Sequence, residues 1–200
     1  VGVLAAVCKE YGTKFLHIST DYVFDGNGTV PYTTEALTNP QSVYGASKLQ
    51  GEQEAMQFNP DSIIIRTSWV YSTFDKNFVK TMRKLMSERE ELNVVNDQVG
   101  SPTYAVDLAE VIMQIIAGEK WVPGIYHFSN TGIISWYDFA VAIKELSGLT
   151  CRVHPIPSSQ YPTPAKRPAY SVMDTTKLFS TFGCTPKNWK DSLQICLQKL

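Results

Sequence analysis

Two hundred residues with 44% hydrophobic and 18% charged side chains can close one sizeable core and a small second lobe, and that balance excludes a disordered tail. A net charge of −1 gives no reason to expect nucleic acid or an anionic membrane as a partner, and no apolar run approaches the roughly 18 residues of a membrane span. Cys8, Cys151, Cys184 and Cys196 form no Cys-x-x-Cys pair and find no histidine at ligand spacing, so the expectation is free thiols in a reducing cytoplasm and no bound metal.

The chain starts inside an apolar helix carrying Val3, Leu4 and Val7, with Gly12 placed to end it. A strand from Phe15 to Ile18 follows and delivers Ser19 and Thr20 to its carboxyl end, where ligands bind in open α/β sheets. A polar loop with Gly26 and Gly28 separates this strand from a helix bearing Tyr44 and Lys48. Their spacing puts phenol and ammonium on one helix face, so a fixed positive charge lowers the tyrosine pKa and makes it a proton donor or acceptor. The pair alone carries little, because a chain with ten tyrosines meets it by chance about as often as not.

Further strands are expected near Ser62 to Arg66, Leu92 to Val95, Gly124 to Phe128 and Arg152 to Ile156. Between them run helices with apolar stripes at Phe78, Met82 and Leu85, at Val111, Ile112, Ile115 and Ile116, and at Phe139, Ile143 and Leu146, all expected in the core. The alternation predicts an α/β class with a parallel sheet and crossover helices. Pro155 to Pro168 holds five prolines and reads as a surface loop of the kind that lids a substrate site. His17, His127 and His154 lie in strand-like apolar runs and read as structural.

Five segments carry a resemblance: Ile18-Ser19-Thr20-Asp21-Tyr22-Val23-Phe24, Tyr44-Gly45-Ala46-Ser47-Lys48, Arg66-Thr67-Ser68-Trp69-Val70-Tyr71, Gly100-Ser101-Pro102-Thr103-Tyr104 and Arg167-Pro168. Nearly end to end, the chain closely resembles the extended short-chain dehydrogenase/reductase family, and within it the dTDP-4-dehydrorhamnose reductases. The resemblance implies the carboxyl-terminal part of a Rossmann-like doubly wound parallel sheet plus a small α/β substrate lobe. The Rossmann-like remainder would cover roughly residues 1–74, with 92–130 partly returning to it, and the lobe roughly 75–91 and 131–200. The glycine-rich turn with which the family holds the cofactor pyrophosphate has no counterpart here, and no Met begins the chain. The expectation is therefore a piece of a longer reductase, inactive by itself.

By the resemblance, the intact enzyme reduces dTDP-4-dehydro-L-rhamnose to dTDP-L-rhamnose with NADPH or NADH. Tyr44 would supply the proton, Lys48 would hold the nicotinamide ribose beside it, and Thr20 would hydrogen-bond the substrate oxygen. Dehydratases of the family carry a Glu after the Thr-Asp pair; Tyr22 stands there, which disfavours dehydration and makes Asp21 and Tyr22 substrate contacts. Trp69 is a candidate wall for the deoxysugar, or a core residue. Asn77 would meet a substrate phosphate or simply cap its helix, and Arg167 offers a fork for pyrophosphate or lies solvated on the surface. The alternatives are another nucleotide-sugar reductase or epimerase, or a non-catalytic subunit similar to the regulatory subunit of methionine adenosyltransferase. Some family members dimerise, which leaves a homodimer open, and no acidic cluster in this sequence marks such a contact.

Overall fold

The computed structural model describes residues 1–163 and 167–200. In chain order its elements are α1 (Gly2–Glu10), β1 (Leu16–Thr20), α2 (Val43–Phe58), β2 (Ile63–Thr67), β3 (Val70–Tyr71), α3 (Phe78–Glu88), β4 (Glu91–Val95), β5 (Val99–Gly100), β6 (Thr103–Tyr104), α4 (Ala105–Ala117), β7 (Gly124–Phe128), β8 (Ile134–Ser135), α5 (Trp136–Leu146), β9 (Arg152–Ile156), α6 (Thr176–Phe182) and α7 (Trp189–Gln198). Among the described residues no helix is long and apolar enough to cross a membrane.

Three strands build a parallel sheet in the order β1-β2-β7. Every residue of β2 is buried, as a central parallel strand covered on both faces requires. Ile63 and Ile65 face Tyr126, Phe128, Leu108, Val111, Ile115 and Leu178, whereas Ile64 turns to Ala5 and Ala55 of the two amino-terminal helices. A second core gathers Tyr71, Val79, Tyr104, Phe139, Ile143 and Leu193 from α3, α5, α7 and the short β3–β6 pair.

The alternation overstates the sheet. Gly124–Phe128 returns to it, but Glu91–Val95 pairs in parallel with Arg152–Ile156 in a separate two-stranded sheet. Burial explains the difference: Glu91 and Asn93 are exposed, as are Arg152, His154 and Pro155. A strand wet on one side cannot sit inside a sheet covered on both, and Pro155 has no N–H to give a further neighbour.

Two helix stripes also differ from expectation. Ile116 is 46% exposed. Phe78, Met82 and Leu85 are only partly covered, because they wall a cleft, and it is Val79 and Met86 that α3 buries. Of the expected loop from Pro155 to Pro168, the first two residues finish β9 and Ser158–Gln160 make a turn of 3-10 helix; Pro164, Ala165 and Lys166 lie outside the described residues. His127 is fully buried, whereas His154 is surface-exposed and lies 3.4 Å from Glu91.

Candidate active site at the end of the sheet

The parallel sheet ends at Thr20, and there the chain turns into a single turn of 3-10 helix, Asp21–Val23. Thr20 caps that turn: its Oγ1 accepts from the Tyr22 N–H at 3.2 Å and donates to Asp21 Oδ1 at 2.9 Å. Helix α2 starts from Ser42, whose hydroxyl accepts the Gly45 N–H at 3.1 Å. Its first turn lies against the 3-10 turn so closely that a Cβ at Gly45 would overlap the Tyr22 carbonyl oxygen. The docking brings the Tyr22 and Tyr44 rings edge to face, with centroids 5.6 Å apart.

Lys48, one turn further along, donates from Nζ to the Ile18 carbonyl at 2.6 Å, two residues before Thr20. The fold thus brings together Thr20, Asp21, Tyr22, Tyr44 and Lys48, from two segments of chain. Burial holds the Lys48 amine below the usual lysine value, and Glu52, one more turn down the same helix, acts the other way. Glu52 is itself clamped by Arg66 of β2, with Nη2 to Oε2 at 2.6 Å and Nε to Oε1 at 2.9 Å, both residues being 2% exposed. Arg66 also lies over the Phe24 ring, its Cζ 5.1 Å from the centroid. One guanidinium therefore ties the lysine helix to the loop that follows Thr20. The inward-facing glutamate of α2 was the available signal, but its partner is visible only once the sheet is built.

Asp21 is the most perturbed carboxyl of the site. Burial pushes it up to about 7, against the pull of its bond to the Thr20 hydroxyl. Tyr22 is raised by burial and next by the Asp21 charge, while Arg167 pulls it down. Arg167 is exposed and adjoins Tyr22 in two joined clefts. The smaller, about 290 Å³, is lined by Gly26, Gln41 and Ser42 among others. The larger, about 950 Å³, runs past Trp69, Phe78, Met82 and Trp136. Gln98 and Tyr161 line both and were not anticipated, since no local pattern marks them.

Trp69 is half-buried and is both core and cleft wall. Asn77 is on neither cleft. Its Oδ1 accepts the Lys80 N–H at 3.2 Å and its Nδ2 donates to the Ser72 carbonyl at 2.7 Å, so the side chain is engaged in capping the helix. Thr20, Asp21, Tyr44 and Lys48 also stay off the cleft walls; Tyr44, 54% exposed, meets the wall residue Tyr22 ring to ring, and Asp21 is buried.

For a nicotinamide cofactor the residues present fit one end. Lys48 spends one of its three N–H donors on Ile18 and keeps two, beside an open Tyr44 ring, which suits a ribose diol. Among the described residues no glycine-rich turn opens a helix, the element that would cradle the cofactor's own pyrophosphate.

Known proteins share this fold. Spore coat polysaccharide biosynthesis protein SpsK of Bacillus subtilis (strain 168) is 46% identical over 188 residues, covering 94% of this chain and 65% of the relative. The crystal structure of a dTDP-4-dehydrorhamnose reductase from Clostridium acetobutylicum ATCC 824 superposes with a TM-score of 0.94 at 44% identity, over 99% of this chain and 70% of that one. A dTDP-4-dehydrorhamnose reductase of Bacillus anthracis str. Ames, solved in complex with NADP, gives 0.92 at 37% identity, over 99% and 69%. The chain therefore spans about two thirds of the length of the proteins it matches. The family model described as the RmlD substrate binding domain matches residues 1–200, and with a sheet-end tyrosine and lysine set beside a sugar-sized cleft, the chain belongs to that family.

Proposed function

We propose that these residues form the substrate-facing part of a dTDP-4-dehydrorhamnose reductase, which converts dTDP-4-dehydro-L-rhamnose to dTDP-L-rhamnose in dTDP-rhamnose biosynthesis. The observation that carries the reading is the meeting of Thr20, Tyr44 and Lys48 beside a cleft that Tyr22, Trp69 and Arg167 line. When bound, reduced nicotinamide, as NADPH or NADH, supplies the hydride to C4 of the sugar. Tyr44 gives its phenolic proton to the C4 oxygen, and the Lys48 ammonium steadies the phenolate left behind while its free N–H groups hold the ribose.

Thr20 works through Asp21. With Asp21 ionised, the Thr20 proton is spent on its carboxylate. With Asp21 protonated, the carboxyl donates to Thr20 Oγ1 instead and the hydroxyl proton is released toward the substrate oxygen. A carboxyl pushed up to about 7 holds both states near neutral pH. Trp69 offers the sugar a flat wall, and Tyr22 and Arg167 meet the sugar and the pyrophosphate.

Four free thiols suit a reducing cytoplasm, and a homodimer is part of the proposal, tested by sedimentation. An epimerase or a non-catalytic subunit is disfavoured by the likeness to dTDP-4-dehydrorhamnose reductases at 44% and 37% identity. The deciding assay extends the chain to the length of its relatives and follows NADPH oxidation with the 4-keto sugar nucleotide. Turnover supports the reading; binding of the sugar nucleotide without turnover overturns it in favour of a binding subunit.

A further inference from the structure

The floor of the larger cleft is a pair of stacked indoles. The Trp69 and Trp136 ring centroids are 3.6 Å apart with planes 12° from parallel, and Trp136 leans on Phe78 at 4.6 Å. The Trp69 ring also runs against the bare backbone of Gly100, where a Cβ would stand 2.6 Å from Cε2. The Trp69 backbone has φ of 48°, a left-handed conformation that bulky residues rarely adopt, so its surroundings must impose it. Part of that imposition is the Thr103 N–H, which donates to the Trp69 carbonyl at 3.2 Å.

Trp136 is placed just as firmly. It is the first residue of α5, directly after Ser135, whose hydroxyl accepts the Asp138 N–H at 3.0 Å and whose own N–H donates to the Asp138 carboxylate at 2.8 Å. The Ser135 hydroxyl also bonds Asn96 Oδ1 at 2.8 Å. A tryptophan serving the core alone would be sealed in it; this one is half-buried and lines the cleft beside its partner.

We infer that Trp136, together with Gly100, is a positioning residue that fixes the Trp69 indole as the wall for the sugar of a nucleotide sugar, which rests on the functional reading above. Gly100 leaves the room, Trp136 supplies the face against which the ring stacks, and the resulting orientation selects the hexose rather than the nucleotide.

Stacked indoles couple their transitions, so the pair gives a far-ultraviolet circular dichroism couplet that reports the stack without any ligand or turnover. The test takes the 200-residue chain with Trp136→Leu, Trp136→Phe and Gly100→Ala, records the couplet and the thermal transition, and titrates dTDP-L-rhamnose and dTDP by calorimetry. Trp136→Leu is expected to abolish the couplet, weaken dTDP-L-rhamnose about 10-fold and change dTDP less than about 2-fold. Trp136→Phe should rescue most of the sugar affinity, and Gly100→Ala should distort the couplet and follow the leucine variant. A wild-type chain without a couplet, equal losses for both ligands, or sugar affinity untouched by Trp136→Leu and Gly100→Ala overturns the inference. Wild-type chain that binds neither ligand overturns the sugar role, while the couplet still decides whether Trp136 places Trp69 and turnover of the extended chain decides the functional reading separately.

Discussion

Tyr44 and Asp21 divide the proton chemistry between them. In the chain extended to the length of its relatives, Tyr44→Phe is expected to lower kcat by at least ~100-fold, the value of a positioned acid, and to leave the thermal transition in place because the ring is not part of the core. Near wild-type turnover would remove Tyr44 from the mechanism. Asp21 controls whether Thr20 has a proton to offer, so reduction should fall as pH rises through about 7. Asp21→Asn keeps an N–H donor for Thr20 and should flatten that limb of the pH profile. The same burial has a sign in stability. A carboxyl whose folded value lies above its ordinary 3.8 favours folding at low pH, and that contribution is lost as pH rises toward about 7. Asp21→Asn should therefore stabilise the fold more at pH 8 than at pH 4, with ~4 kcal/mol as the ceiling. Equal gains at both pH values in urea melts would show that the carboxyl is not raised.

Helix α2 and the 3-10 turn after β1 act as one unit because nothing separates them at Gly45. Gly45→Ala puts a methyl where the Tyr22 carbonyl already is, so helix and turn must part, at ~1–3 kcal/mol of stability. Pried apart, Tyr22 and Tyr44 lose their edge-to-face contact, and turnover should drop further than stability does; a variant with wild-type melting temperature and activity would show the contact to be slack. The Tyr44–Lys48 face was legible in sequence because a spacing of four is local, and so was the end of α1, where Gly12 sits at φ 63°. The partner of β4 was not legible, since a five-residue strand states its own burial but not its neighbour's identity. Trp136 was missed for the same reason. It stands 67 positions from Trp69 in a helix whose apolar stripe explains it fully, and only the folded chain lays one indole on the other. Asn77 went the other way: a cap was one of its two readings, and the cap is what the helix uses.

At the scale of the whole molecule, one buried base sets the acid limit. Burial, and next the neighbouring Arg66 charge, push His127 down to about 4, so it folds neutral and takes up a proton on unfolding. Its contribution is complete above the ordinary histidine value of 6.5 and is lost as pH falls from there toward about 4. His127→Leu should remove that part of the acid-side slope in denaturation free energy; an unchanged slope would assign the loss to carboxylates. The cofactor makes a second global prediction. With only the nicotinamide-ribose end fitted, residues 1–200 should bind NADPH more weakly than micromolar, and a micromolar Kd by calorimetry would require a phosphate site elsewhere in the chain. The Arg66–Glu52 clamp has a consequence for how such sequences drift. Losing either partner strands a buried charge at ~3–5 kcal/mol, a large part of a typical domain's stability, while replacing both with apolar side chains costs little. Positions 52 and 66 are thus separated from any alternative pairing by a single-step intermediate that folds poorly, and relatives should exchange them together or keep them both. The exposed Lys9–Asp61 pair faces no such barrier and is free to change one residue at a time.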